Sequence, residues 1–137
     1  MDDYKIVERL PTIEEFHRLH EAVGWNNVDK KATEIGLRNS LFSLCVVYKG
    51  KLIACGRVIG DGGIYFYLQD IIVIPEFQGK GIGQKIMDEV MKYLKKKAHP
   101  NAFIGLMAAK GVSKFYAKYG FAERPADRPG MFKIWGK

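Results

Sequence analysis

The residues best suited to chemistry lie where a long apolar run gives way to a helical repeat: Val73-Ile74-Pro75-Glu76-Phe77-Gln78-Gly79-Lys80-Gly81-Ile82-Gly83. Glycines at 79, 81 and 83 remove side chains, so backbone N–H groups at the start of the next helix can meet an anion closely. The helix dipole adds partial positive charge there, and Lys80 adds a full one. This turn suits a phosphate or pyrophosphate. It is not a P-loop, which needs GxxxxGK followed by Ser or Thr. The dinucleotide fingerprint GxGxxG also fails, because the spacing is GxGxG and the turn follows an antiparallel meander. Just upstream, Gln69 and Asp70 interrupt the otherwise apolar and aromatic run from Ile64 to Ile74. The other reactive side chains form no such constellation. Cys45 and Cys55 flank a turn at Lys49-Gly50-Lys51 without a CxxC spacing, and are expected to be buried free thiols. His17, His20 and His99 gather no further ligands, so no metal is expected and packing or surface roles are assigned to them.

The elements that must position this turn follow from periodicity. Residues 3–10 read as a strand, and Pro11-Thr12 opens a helix with Thr12 and Glu15 as a capping box. Phe16, Leu19 and Val23 are its apolar stripe, ended by Gly24-Trp25-Asn26-Asn27. A second helix is expected from 28 to 40. Strands at 41–48 and 52–59 form a hairpin, Asp61-Gly62-Gly63 turns the chain, and 64–74 is a central strand ended by Pro75. Its near-continuous apolarity predicts burial on both faces. Residues 82–97 are helical through Ile82, Ile86, Val90 and Leu94. A strand at 102–108, a short helix at 111–119, and a strand, Pro-rich turn and last strand over 121–137 complete the chain. The order β-α-α-β-β-β-α-β-α-β-β makes a mixed α/β sheet, an α+β single domain over 1–137, and argues against a helical bundle or a β-sandwich.

In that setting the motifs become specific. Gln78-Gly79-Lys80-Gly81-Ile82-Gly83 resembles the Q/R-x-x-G-x-G/A signature of the GNAT (GCN5-related N-acetyltransferase) superfamily, preceded by that family's V-x-P as Val73-Ile74-Pro75. Phe115-Tyr116-Ala117-Lys118-Tyr119-Gly120-Phe121 looks like its F/L-Y-x-x-x-G-F segment. The resemblance extends over essentially the whole chain. It implies a GNAT-like fold with central splayed strands, parting after residue 73 and before 108. It also implies acetyl-CoA as co-substrate, with Gln78, Gly79, Lys80, Gly81, Ile82 and Gly83 wrapping the pyrophosphate and Gln84 at the rim. Ile71, Ile72 and Val73 would hold the pantetheine arm through backbone groups. The family's Asn seven residues before the tyrosine is Ala109 here, so Ser113 is the candidate to replace that contact. Lys110, Lys114 or the basic helix end would meet the 3′-phosphate.

Acetyl transfer to an amine needs a neutral amine, a donor for the oxyanion and a proton for the leaving thiolate. The resemblance assigns the proton to Tyr116, whose phenol, with an ordinary pKa of about 10, is protonated at neutral pH. The alternative for Tyr116 is a packing role beside Phe115 and Tyr119. For the base, Tyr67, Gln69 and Asp70 are candidates on the central strand. Related enzymes often carry Glu or His at or near positions 67 and 69, where this chain has Tyr and Gln. Strict alternation puts Tyr67 and Gln69 on one face and Asp70 on the other. Asp70 acts directly, through water, or as a structural pair, and a water chain ordered by Gln69 is a further option. Trp25, Tyr65, Phe66, Tyr67 and the Arg124–Met131 turn are candidate acceptor-pocket residues, with Phe66 expected in the core.

The net charge of +7, with 22 basic and 15 acidic residues, suits an anionic partner but selects none. Lys92, Lys95, Lys96 and Lys97 cluster at one helix end, as the dipole favours, rather than along a groove. No specific nucleic-acid partner is therefore expected, nor a membrane span. The start of the chain, Met1-Asp2-Asp3-Tyr4, lacks a signal-peptide pattern, which leads to a cytoplasmic expectation. The acceptor is expected to be a small-molecule primary amine, an arylalkylamine or a polyamine among them, and a homodimer is compatible with the sequence. The competing readings are a non-catalytic acyl-CoA sensor and a peptide or protein N-acetyltransferase.

Overall fold

Local signals fix most element boundaries. The computed structural model describes residues 3–137; Met1 and Asp2, half of the acidic start, lie outside the described residues. Strand β1 (Tyr4–Glu8) leads to α1 (Ile13–Ala22), where the Thr12 hydroxyl accepts from the Glu15 N–H and the Glu15 carboxylate accepts from the Thr12 N–H. The capping box forms as the sequence requires. Asp29 caps α2 (Lys30–Arg38) by accepting from the Ala32 N–H. Strands β2 (Phe42–Tyr48) and β3 (Lys51–Gly60) then form a hairpin. Tyr48 pairs with Lys51, so the loop is Lys49-Gly50 alone, both at positive φ (49° and 77°). Two left-handed residues give the turn whose twist matches the strands. Strand β4 (Tyr65–Val73), helix α3 (Ile82–Lys97), strand β5 (Phe103–Gly105) and helix α4 (Ser113–Ala117) follow.

The five strands make one sheet in the order β1-β2-β3-β4-β5. The first four pair antiparallel, and β5 joins β4 in parallel after the α3 crossover. Helix α3 buries Ile82, Ile86, Met87, Val90 and Leu94, the stripe its periodicity predicts, and packs on β2, β3 and β4. Helix α1 buries Phe16 and Leu19 and packs on β3, β4 and α2. The sheet is thus mixed α/β, as expected. The chain divides into two compact units, residues 1–106 and 107–137, and the sheet with α1, α2 and α3 lies in the first.

Strand β4 is covered on both faces, by α3 and by α1, as its apolar run predicts: Phe66, Leu68, Asp70 and Ile72 are buried, the residues between them partly buried, and Tyr65 is exposed. Three expectations need correction. The expected strand at 102–108 pairs only over Phe103–Gly105. No strand forms within 121–137; Pro125 and Pro129 remove ladder donors, and the second unit holds no strand to pair with. Met131 and Trp135 are accordingly exposed. The helix expected at 111–119 is confined to Ser113–Ala117, where the Tyr119 and Gly120 N–H groups bond three residues back and tighten its end.

Candidate functional site

The glycine turn takes the conformation its sequence demands. Gly79 and Gly81 sit at φ of +79° and +81°, a left-handed region costly to other residues. A Cβ at either would meet no atom within 4 Å, so these glycines answer to backbone conformation and the approach to the turn stays open. Gly81 is the N-cap of α3, with no side chain to bond the N–H groups of the first turn and no acid in that turn. The first intrahelical bond shown runs from the Lys85 N–H to the Gly81 carbonyl at 3.2 Å, leaving the N–H groups of Ile82, Gly83 and Gln84 without partners inside the helix. Ile82 is buried, so its side chain anchors the helix start while its main chain faces the turn. Lys80 and Gln84 are exposed. The Gln78 side chain points back instead, its Nε2 donating to the Val73 carbonyl at 2.8 Å. Gln78 therefore braces the loop. Phe77 stacks edge-on against Tyr48 and Tyr4, which ties the same loop to the hairpin.

Ahead of this turn β4 carries a bulge. Cys55 pairs with Ile72 and Arg57 with Gln69, so Asp70 and Ile71 together stand opposite Gly56. Asp70 sits at φ +56°, rare for a non-glycine residue. A Cβ on Gly56 would lie 2.8 Å from both Ile71 Cδ1 and Ile86 Cγ2, so only glycine lets those side chains lie over β3 on the α3 face. Arg57 faces the other way, donating to the Gly36 carbonyl at 3.0 Å and Ser40 Oγ at 3.1 Å. Its pairing puts Gln69, and by alternation Tyr67, on that same α1–α2 face. Arg57 Nε also meets Asp70 Oδ2 at 2.8 Å, while His20 Nε2 from α1 meets Asp70 Oδ1 at 3.1 Å. The bulge thus turns Asp70 onto the face of Tyr67 and Gln69. Strict alternation had predicted the opposite face, and the extra bulge residue is the reason it failed.

Electrostatics follow from these contacts. Burial works against the Asp70 charge, but hydrogen bonds from His20 and Arg57, with their charges, prevail and hold its carboxyl below the ordinary carboxylate value. Both carboxylate oxygens are occupied, which favours the structural pairing over the base role. The Cys55 thiol donates to the Asp70 carbonyl at 3.3 Å, and burial, reinforced by the Asp70 charge, pushes that thiol far up. Burial likewise pushes the Cys45 thiol up to about 11. Both cysteines are free and buried, and face each other across β2 and β3. Partial burial raises the Tyr67 phenol above its ordinary value. Phe66 is in the core, and Tyr65 is exposed.

Beside the bulge the sheet opens. Strand β5 pairs with β4 only through Tyr65–Phe103, Phe66–Ile104 and Tyr67–Gly105. From Leu68 to Val73 the β5 side of β4 has no ladder partner. The strands therefore part at residue 67, six positions earlier than the sequence suggested. Ile71, Ile72 and Val73 lie along this opening, between the bulge and the glycine turn.

Within the second unit, Tyr116 is half-buried among Phe115 and Phe121, at ring-centroid distances of 5.1 and 6.3 Å. Burial raises its phenol above the ordinary value, so it remains protonated at neutral pH and can donate. Ser113 is the first residue of α4 and makes no capping bond; Val112 is the N-cap. The Arg124–Met131 segment is a turn closed by Arg124 Nε on the Arg128 carbonyl at 2.9 Å. Among the described residues, no three His, Cys, Asp or Glu side chains gather as a metal site, and no helix is long and apolar enough to cross a membrane.

Sequence reasoning passed over His20, Arg57 and Ser40. One signal was available: Arg57 interrupts the apolar run of β3 as Asp70 interrupts that of β4, and a buried acid requires a cationic partner. Nothing in the sequence marked His20, because α1 meets β4 only through the tertiary fold.

The model of the GNAT acetyltransferase domain matches residues 40–123. The chain belongs to the GNAT acetyltransferase family. This GNAT chain is 30% identical over 122 residues to an uncharacterized N-acetyltransferase, ycf52, of Porphyra purpurea, covering 86% of this chain and 69% of that protein. It is 35% identical over 82 residues to a chloroplastic serotonin N-acetyltransferase of Oryza sativa, covering 60% of this chain and 40% of that one. The crystal structure of a Staphylococcus aureus protein, described as a probable acetyltransferase, superposes with a TM-score of 0.91 at 36% identity, covering 96% of this chain and 99% of that chain. The glycine turn, the bulge and Tyr116 all lie inside the stretch that matches the GNAT domain; His20 lies outside it.

Proposed function

We propose that this acetyltransferase moves the acetyl group of acetyl-CoA to a small-molecule primary amine by direct transfer. The observation that carries the reading is the alignment along one strand of the bulge, the opening beside Leu68–Val73 and the uncapped start of α3. The glycine turn suits the pyrophosphate, and Lys80 adds charge at its mouth. Backbone groups of Ile71, Ile72 and Val73 suit the amide-rich arm, since they lack a ladder partner on the β5 side. Backbone N–H groups freed by the bulge are the candidates to meet the oxyanion.

In the transfer, the amine nitrogen bonds to the thioester carbon, and the C–S bond breaks as the tetrahedral intermediate collapses. The amine loses a proton to water on the face of Tyr67 and Gln69. The thiolate gains one from Tyr116, whose raised phenol suits a donor. The relative named as a serotonin N-acetyltransferase supports an arylalkylamine acceptor, as do the accessible Trp25 and Tyr65.

Gly81→Asp tests the cofactor half of this reading. It sets a carboxylate at the start of α3, where the pyrophosphate would sit. Calorimetry should show acetyl-CoA affinity falling at least tenfold, about 1.4 kcal/mol, with the circular dichroism spectrum unchanged. Wild-type affinity in a folded variant would sink the reading.

A further inference from the structure

We propose that Asp70 is a positioning residue: its carboxylate, gripped by His20 and Arg57, holds the β4 bulge in the left-handed conformation that presents the backbone of residues 70–72 to the thioester. The proposal rests on the acetyl-CoA reading above and specifies what keeps that site in shape.

Four observations carry it. Asp70 adopts φ +56° in the middle of a strand, a conformation that costs an L-residue free energy and persists where its surroundings over-determine it. Here they do. Each carboxylate oxygen is bound by a different element, His20 from α1 and Arg57 from β3, and the carbonyl accepts from Cys55. The grip is buried: the side chains of Asp70, His20 and Arg57 are 5%, 12% and 15% exposed. Its far ends are fixed too. Arg57 is anchored to the Gly36 carbonyl and Ser40 Oγ beside α2, and the His20 ring packs against Phe16 at 4.2 Å and Trp25 at 5.4 Å. His20 Nδ1 is buried without a hydrogen-bond partner, so Asp70 is the polar group that orients this ring. The two helices are thereby tied to the strand edge at the point where β5 leaves it. A distortion at Asp70 would move the donors at the thioester while leaving the glycine turn intact.

This role makes a prediction that a base at Asp70 does not. Glycine lacks the carboxylate but accepts a positive φ freely, whereas alanine lacks both. Asp70→Ala and Asp70→Gly in the full chain should both bind acetyl-CoA within threefold of wild type. With the best amine from a panel of arylalkylamines and polyamines, kcat of Asp70→Ala should fall at least tenfold, and Asp70→Gly should recover at least fivefold of that loss. His20→Asn and Arg57→Gln, each releasing one oxygen, should give smaller kcat losses with the KM for acetyl-CoA unchanged. Infrared spectra of acetyl-CoA labelled at the thioester carbonyl give a reading independent of the acceptor. The downward shift of the bound carbonyl should shrink in Asp70→Ala and return in Asp70→Gly. Glycine no better than alanine in both measurements would overturn the positioning role, as would an alanine variant indistinguishable from wild type. If Asp70→Ala does not fold, Asp70→Asn takes its place. Asparagine tolerates the left-handed region and keeps the side-chain shape, so a kcat or carbonyl shift below that of Asp70→Gly overturns the proposal. Failure of the wild-type chain to bind acetyl-CoA would strike the functional reading itself; normal binding with the wrong order of variants strikes only the role of Asp70.

Discussion

The glycine turn and the bulge sit at opposite ends of one opening and are built by opposite means. At Gln78–Gly83 the groups turned outward are backbone, and the turn owes its shape to glycines at positive φ, a brace from Gln78 and an uncapped helix start. At Asp70 an L-residue adopts positive φ, held there by side chains from α1 and β3 that are 50 and 13 residues away in sequence. One region removes side chains to expose the main chain. The other spends buried charge to bend it. Substitutions in the first should therefore cost affinity, and substitutions in the second should cost stability and turnover.

The largest expected effect falls in neither region. Tyr116→Phe keeps the ring beside Phe115 and Phe121 but removes the hydroxyl proposed to protonate the thiolate. General acid catalysis contributes about 10²–10⁴-fold, so kcat should fall by that order while acetyl-CoA affinity stays within roughly threefold. Stopped-flow and calorimetry on one preparation would check both. An unchanged chemical rate would make Tyr116 a packing residue and return the proton to the two regions compared here.

Next in size is the cost of breaking the charged grip. Arg57→Ala leaves Asp70 buried with one oxygen unpaired and should destabilise the fold by about 3 kcal/mol in urea titration. Gly79→Ala, placed at positive φ in open space, should cost only about 1 kcal/mol. Equal losses would erase the contrast between the regions.

A pH titration sharpens it further. The Asp70 carboxyl is held below its ordinary value, so its contribution is complete above about pH 5, where an unfolded Asp is almost fully ionised. That contribution is lost as pH falls below about 5 and through the lowered folded value. The melting-temperature advantage of wild type over Asp70→Asn should be constant from pH 5 to 8 and shrink toward pH 2 to 3. Gly81→Asp should show no such wild-type advantage fading over that range.

The smallest effect belongs to Lys80. It is exposed, so Lys80→Gln removes one screened charge and should weaken acetyl-CoA binding by only about two- to fivefold at low salt. The difference should vanish as ionic strength rises.

Much of this molecule was legible in its sequence because the governing physics is local. Helical spacing from Ile82 to Leu94 placed α3 to the residue, and Thr12 with Glu15 fixed the start of α1. Glycine spacing marked the turn at 78–83, since positive φ and an open helix start are properties of a few adjacent residues. The last seventeen residues misled, because an apolar segment such as Met131–Trp135 forms a strand only if a ladder exists to pair with it. The place where β4 and β5 part was decided by pairing that ends at Tyr67–Gly105, which neither strand encodes alone. The face taken by Asp70 was likewise beyond period-two counting, because one bulge residue inverts every assignment after it. Its partners were hidden for the same reason. The sequence by itself determined α1, α3, the first four strands and the glycine turn; only the tertiary structure brought His20, Arg57 and Asp70 together, since a buried charge finds its partner through packing and not through spacing.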